Sequence, residues 1–255
     1  MAIVNAAKER LRAGKPIVGV GLTFPSPAVV ELCAYAGFHF VRIDCEHGPM
    51  DAVAAEQMVR AAEAAGITPI ARPPANAFHE ILRLLDTGIQ GVLVPHIESK
   101  AEAQAAAKAA RYYPEGERGM AGARWSRYGT AGPMTELIKQ ANDAVLVMAL
   151  LESAKGAENI DEILAVPGID VVWVGHMDLS QSLGVPAQVS LPIVQEHIKR
   201  IVDASLKAGK YVGMLASDVA SARQLLDRGI QIVEFGASQL FVGAGRGILR
   251  DLPLG

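Results

Sequence analysis

Eight short runs of apolar, mostly β-branched residues recur along this chain, separated by Ala-, Leu- and Glu-rich stretches with helical spacing. The runs fall at 16–21, 38–44, 68–72, 90–95, 145–151, 171–174, 211–215 and 231–235. Most are continuously apolar rather than alternating, which predicts strands covered on both faces. Helical stretches include 52–65, 99–111, 192–208 and 218–228, and Gly37, Gly66, Gly88 and Gly229 each stop a helix just before the next strand. Eight such alternations in 255 residues predict an α/β chain, a (β/α)8 TIM barrel, with residues 1–255 as one domain.

Composition narrows the function. Hydrophobic residues make up 51% and aromatic ones 5%, so the core is expected to be large and aliphatic. A net charge of −3 leaves no electrostatic footprint for nucleic acid or an anionic membrane. The opening MAIVNAAKERLRAGK does not read as a signal peptide, and no uncharged apolar run has spanning length. Cys33 and Cys45 form neither a zinc pattern nor a disulfide framework. The expectation is a cytoplasmic protein. No strand is followed by GxGxxG, and GxxxxGK[ST] is absent. The glycine-rich run at 243–247 lies in the last helical stretch and is expected to permit close helix packing.

Charged residues sit just past four strand ends, where a barrel builds its active site. His47 in Asp44-Cys45-Glu46-His47 follows the second strand and can move a proton near neutral pH. Its orienting carboxylate could be Asp44, Glu46 or Asp86, the last at the end of the third helix. Arg72 ends the third strand, held extended by Pro73, and could stabilise a developing enolate. Glu152 and Asp178 end the fifth and sixth strands, and two converging carboxylates suit a hard ion such as Mg²⁺ or Mn²⁺. Gly175, before Met177 and Asp178, would let backbone N–H groups approach an anionic carboxylate. No lysine stands at a strand's C-terminal end, so an imine is disfavoured against a metal-stabilised enolate. The segment 112–132, rich in arginine, breaks the rhythm and is expected near the C-terminal face as a lid or subunit contact.

IDCEHGP (43–49), ARP (71–73), LLDTG (84–88), LVP (93–95), the YYPEGERG loop and VGHMDLSQSLG together resemble the HpcH/HpaI family of class II pyruvate aldolases. The resemblance implies reversible cleavage of 4-hydroxy-2-oxo acids to pyruvate and an aldehyde, with Mg²⁺ or Mn²⁺, and Co²⁺ as a further candidate. It implies a homo-oligomer, a hexamer built as a trimer of dimers that exchange C-terminal helices. It matches His47 to the base, Asp86 to the acid that raises its basicity and Arg72 to the enolate stabiliser. Glu152 and Asp178 match the metal ligands, and the backbone at Met177 and Asp178 the contact to the substrate carboxylate. Asp44 and Glu46 are then supporting residues. Leu150 stands where the family often has Gln, and His176-Met177 replaces a Pro-Ala pair. The alternatives are a CoA-ester lyase of the citramalyl or malyl type, needing a basic groove for phosphates, and a non-catalytic keto-acid-binding barrel.

Overall fold

The computed structural model describes residues 3–252. Its eight strands are β1 (Ile17–Leu22), β2 (Phe40–Asp44), β3 (Thr68–Arg72), β4 (Gly91–Val94), β5 (Leu146–Leu151), β6 (Val171–Val174), β7 (Tyr211–Leu215) and β8 (Ile232–Gly236). They pair in parallel, in chain order, and β1 closes on β8. Helix α1 (Ala6–Arg12) precedes β1, and α2 (Pro27–Tyr35), α3 (Ala52–Ala65), α4 (Phe78–Asp86) and α5 (Lys100–Ala110) follow β1 to β4. Helix α6 (Met134–Ala144) leads into β5, and the short α7 (Ala154–Glu158) and α8 (Ile160–Leu164) leave it. Helices α9 (His176–Ser182) and α10 (Pro192–Lys207) follow β6, α11 (Val219–Asp227) follows β7, and α12 (Ala237–Asp251) follows β8. The barrel expected from the strand–helix rhythm is the observed fold.

Local chemistry sets the helix ends. Asp51 caps α3 through Ala54 N–H (2.9 Å), Ser99 caps α5 through Glu102 N–H, and Asp218 with Ser221 forms a capping box on α11. The strands bury an outer layer against the helices. A second layer fills the barrel interior, with Ile17, Phe40, Ile70, Leu93, Met148, Leu150, Trp173 and Ile232.

Helix α1 closes the N-terminal end. Ala7 and Leu11 join the interior layer. Asn5 Nδ2 donates to the carbonyls of Gln90 (2.9 Å) and Ala144 (2.8 Å), and Lys8 Nζ donates to that of Val145 (2.8 Å).

The 112–132 segment is at the other end from where it was expected. Helix α5 descends from the C-terminal face, so the segment begins at the N-terminal rim. Arg118 Nη2 bonds Asp86 Oδ1 at the end of α4 (2.9 Å), and Arg124 Nη1 bonds Glu63 on α3 (3.0 Å) and the Thr87 carbonyl (2.8 Å). Arg118 also lies over the rings of Tyr112 (4.7 Å) and Trp125 (5.1 Å). The connection after β4 runs down a helix before the segment starts, and proximity to β5 in sequence conceals this.

Helix α12 buries only Ala237, while Phe241 (82% exposed), Ile248 and Leu249 face outward. A Cβ at Gly243, Gly245 or Gly247 would meet nothing within 4 Å, so the run makes no close packing contact within its own chain. No helix among the described residues is long and apolar enough to cross a membrane.

Candidate active site

At the C-terminal end of the barrel, Asp44 and Arg72 are register partners on β2 and β3. Arg72 Nε donates to Asp44 Oδ1 (2.9 Å) and its Nη2 to Asp44 Oδ2, a two-pronged clamp. Arg72 Nη1 also lies 3.1 Å from Glu46 Oε2. Both partners are buried, which fixes the guanidinium more firmly than a solvated ion pair could.

Asp44 organises the turn as well. Its Oδ1 accepts the N–H groups of Glu46 (3.2 Å) and His47 (3.1 Å). The His47 ring is exposed and makes no hydrogen bond or ion pair to another described residue. Burial opposes Asp44 ionisation, but Arg72's hydrogen bonds and the charges of Arg42 and Arg72 outweigh it and hold the carboxyl far below its ordinary value of 3.8. A carboxyl depressed in the folded state stabilises above its unfolded value, and that stability is lost as pH falls through about 4 and below. Asp44→Asn is expected to cost about 3–5 kcal/mol at neutral pH and to flatten that part of the acid limb. Urea unfolding across pH 2–7 checks this, and an acid limb unchanged from wild type would contradict it.

Beyond this clamp lie the carboxylates. Glu152, on the residue after β5, is buried, and its Oε1 accepts the backbone N–H of His96 (2.9 Å). The His96 ring spans two carboxylates, with Nδ1 3.1 Å from Glu152 Oε1 and Nε2 3.3 Å from Glu46 Oε1. His96 adopts a left-handed backbone (φ 56°), which brings its N–H and its ring to the same oxygen. Glu152 is pushed upward by burial; His96 works against this, and Glu46 and Asp178 add to it. Asp178 lies exposed in the first turn of α9, whose N-cap is Gly175, so it does not cap that helix.

Gly175 shapes the site by having no side chain. Its N–H donates to the Leu151 carbonyl (2.9 Å) and is therefore committed to the sheet. What glycine permits is the approach of β6 to Glu152: a Cβ would lie 2.6 Å from Glu152 Cβ. The N–H groups of Met177 and Asp178, in the first turn of α9, have no acceptor inside the helix. Leu150 is buried against the interior layer, giving an apolar wall. His176 is half-buried with Nδ1 unpartnered, and burial pushes it down against the opposing pull of Asp178. Burial pushes the Cys45 thiol up to about 12, which disqualifies it as a nucleophile.

Within one chain the structure does not bring Asp86 to His47. Asp86 ends α4 at the N-terminal rim and is bonded to Arg118. The arginine-rich segment lies at that same rim, so within one chain it adds no basic groove to the C-terminal site.

Comparisons with known proteins match the chain over nearly its whole length. Residues 20–242 match the model of the HpcH/HpaI aldolase/citrate lyase family. The chain belongs to this family. A hydroxypyruvate/pyruvate aldolase of Deinococcus radiodurans is 36% identical, covering 91% of this chain and 83% of that one. A 4-hydroxy-2-oxo-heptane-1,7-dioate aldolase of Klebsiella pneumoniae is 34% identical, covering 94% and 91%. Among solved structures, an HpcH/HpaI aldolase/citrate lyase family protein from Burkholderia cenocepacia aligns with a TM-score of 0.91 and 33% identity, over 97% of this chain and 99% of that one.

The HpcH/HpaI resemblance implies a divalent metal, and the donor chemistry here fits one. Among the described residues no group of three or more His, Cys, Asp or Glu side chains is arranged to hold an ion. Glu152 and Asp178 carry the hard oxygen donors that such an ion would take. The upward push on Glu152 from Glu46 and Asp178 is a repulsion that a bound cation relieves.

Proposed function

We propose that this protein is a divalent-metal-dependent pyruvate aldolase, reversibly cleaving 4-hydroxy-2-oxo acids to pyruvate and an aldehyde. The observation that carries this is the Asp44-clamped Arg72 set beside Glu46, which the His96 ring links to Glu152, at the C-terminal barrel end. A guanidinium fixed in advance stabilises charge as it develops, without reorganising during the reaction.

In the cleavage direction His47 takes the proton of the 4-hydroxyl group. The C3–C4 bond breaks, its electron pair moves into the C2–C3 bond, and the C2 oxygen becomes an enolate. Arg72 faces that oxygen. The aldehyde departs, and a proton delivered to C3 gives pyruvate. The N–H groups of Met177 and Asp178 receive the substrate carboxylate. Glu152 and Asp178 would hold Mg²⁺, Mn²⁺ or Co²⁺, which supplies Lewis-acid polarisation of the keto group when bound. The Leu150 wall and His176 bear on which aldehyde portion is accepted.

Asp86 can raise the basicity of a His47 only from a second copy, since its own His47 is at the opposite barrel end. The outward apolar face of α12 supports such an assembly, a trimer of dimers sharing C-terminal helices. A coupled assay over a panel of 4-hydroxy-2-oxo acids, with Mg²⁺, Mn²⁺ or Co²⁺, is expected to register pyruvate from at least one member. No release from any member with any of the three metals would overturn the proposal.

A further inference from the structure

Two charges sit inside the barrel where a core would ordinarily be apolar. Arg42 points inward from β2, and Glu234, 1% exposed, points inward from β8. Those strands are not neighbours, because β1 lies between them. The pair meets across Gly21 of β1. Arg42 Nε donates to both Glu234 oxygens (2.9 and 3.1 Å), and Arg42 Nη2 to Oε1 (2.6 Å). A Cβ at Gly21 would stand 2.5 Å from Glu234 Oε1 and 2.8 Å from Arg42 Nη2, so glycine makes the room. A buried ion pair is weak evidence for stability, since apolar replacements often serve as well. Its placement beneath the Arg72 clamp calls for another explanation.

Arg42 has one nitrogen left over. Its Nη1 lies 3.1 Å from Asp44 Oδ2 but has no aligned hydrogen bond. Glu234 thus takes Nε and Nη2 of Arg42, leaving only Nη1 near Asp44, whose two oxygens accept Nε and Nη2 of Arg72. Without Glu234, Arg42 and Arg72 would compete for Asp44, and Arg72 would lose its fixed direction. We propose that Glu234 and Arg42 are positioning residues for Arg72: Glu234 engages Nε and Nη2 of Arg42, so that only Nη1 approaches Asp44, and Asp44 is thereby left to aim the Arg72 guanidinium at the reacting oxygen. The proposal rests on the reading of Arg72 as the group that stabilises the enolate.

The test is exchange of the pyruvate methyl protons in D₂O with Mg²⁺, followed by proton NMR, alongside thermal unfolding. Glu234→Gln is expected to lower kcat for exchange by roughly 10- to 100-fold, the scale of an ångström-size misplacement, with a smaller change in KM. Gly21→Ala, which crowds the pair without removing charge, should act in the same direction. The deciding readout is a double-mutant cycle. In an Arg72→Lys background, Glu234→Gln should cost little further, because its effect passes through Arg72. Should Glu234→Gln fail to fold, Gly21→Ala enters the same cycle in its place. Wild-type exchange in a folded variant overturns the proposal, and so does an undiminished further loss in the Arg72→Lys background. Absence of exchange in the wild-type protein overturns the aldolase reading, and this proposal with it.

Discussion

Arg72→Ala is expected to lower turnover by about 10²- to 10³-fold while the barrel stays folded. The first half follows from the clamp. Asp44 holds two guanidinium nitrogens, so Arg72 presents its charge to the site in one orientation. The second half follows from Arg42. When Arg72 is removed, Asp44 still has the Arg42 guanidinium 3.1 Å away and is not left as an uncompensated buried charge. Arg72→Lys restores the charge but not the planar fork, so most of the loss should persist. Steady-state pyruvate release together with a thermal melt separates the two halves. Near-normal turnover in folded Arg72→Ala would remove Arg72 from the mechanism.

Removing the metal is expected to have the other large effect. EDTA should bring turnover to background, and added Mg²⁺ or Mn²⁺ should restore it. Glu152→Gln should weaken metal binding by more than the roughly 10–100-fold typical of losing an outer partner, because Glu152 is a proposed ligand. The variant should remain folded. Burial and the charges of Glu46 and Asp178 already push the Glu152 carboxyl upward, so a neutral amide relieves a strain rather than creating one. Binding has a readout besides activity: saturating metal should raise the melting temperature of wild type and not of Glu152→Gln. An equal rise in both would place the ion elsewhere.

The barrel was legible because burial on both faces makes continuous apolar strands, and the helix stops before them are chemically distinct. Candidate site residues were legible where a polar residue lies at or shortly past such a strand end. His47, Glu152 and Asp178 follow strand ends, and Arg72 closes one. His96 follows β4 by the same logic, yet VLVPHI reads as an uninterrupted apolar exit. The signal was there, one residue past the proline. Arg42 and Glu234 were hidden differently. Each is a single charge inside an apolar strand, in FVRID and IVEFG, and only closure of the barrel brings β8 and β2 to either side of Gly21. Asp86 and the arginine-rich segment show the opposite limit. Their sequence positions say nothing about which end of a barrel they reach until the direction of α4 and α5 is followed. The outward apolar face of α12 could not be inferred either, since glycines in a helical stretch read equally as packing within the chain or against another.

On the proposed mechanism the groups around Arg72 generate an enolate of pyruvate. Exchange of the pyruvate methyl protons with D₂O tests it most directly, because it needs no aldehyde partner and therefore no knowledge of the natural substrate. Wild-type protein with Mg²⁺ or Mn²⁺ should exchange those protons well above the protein-free rate, and EDTA should stop it. Exchange no faster than in metal-containing buffer alone, from a folded protein, would contradict the account.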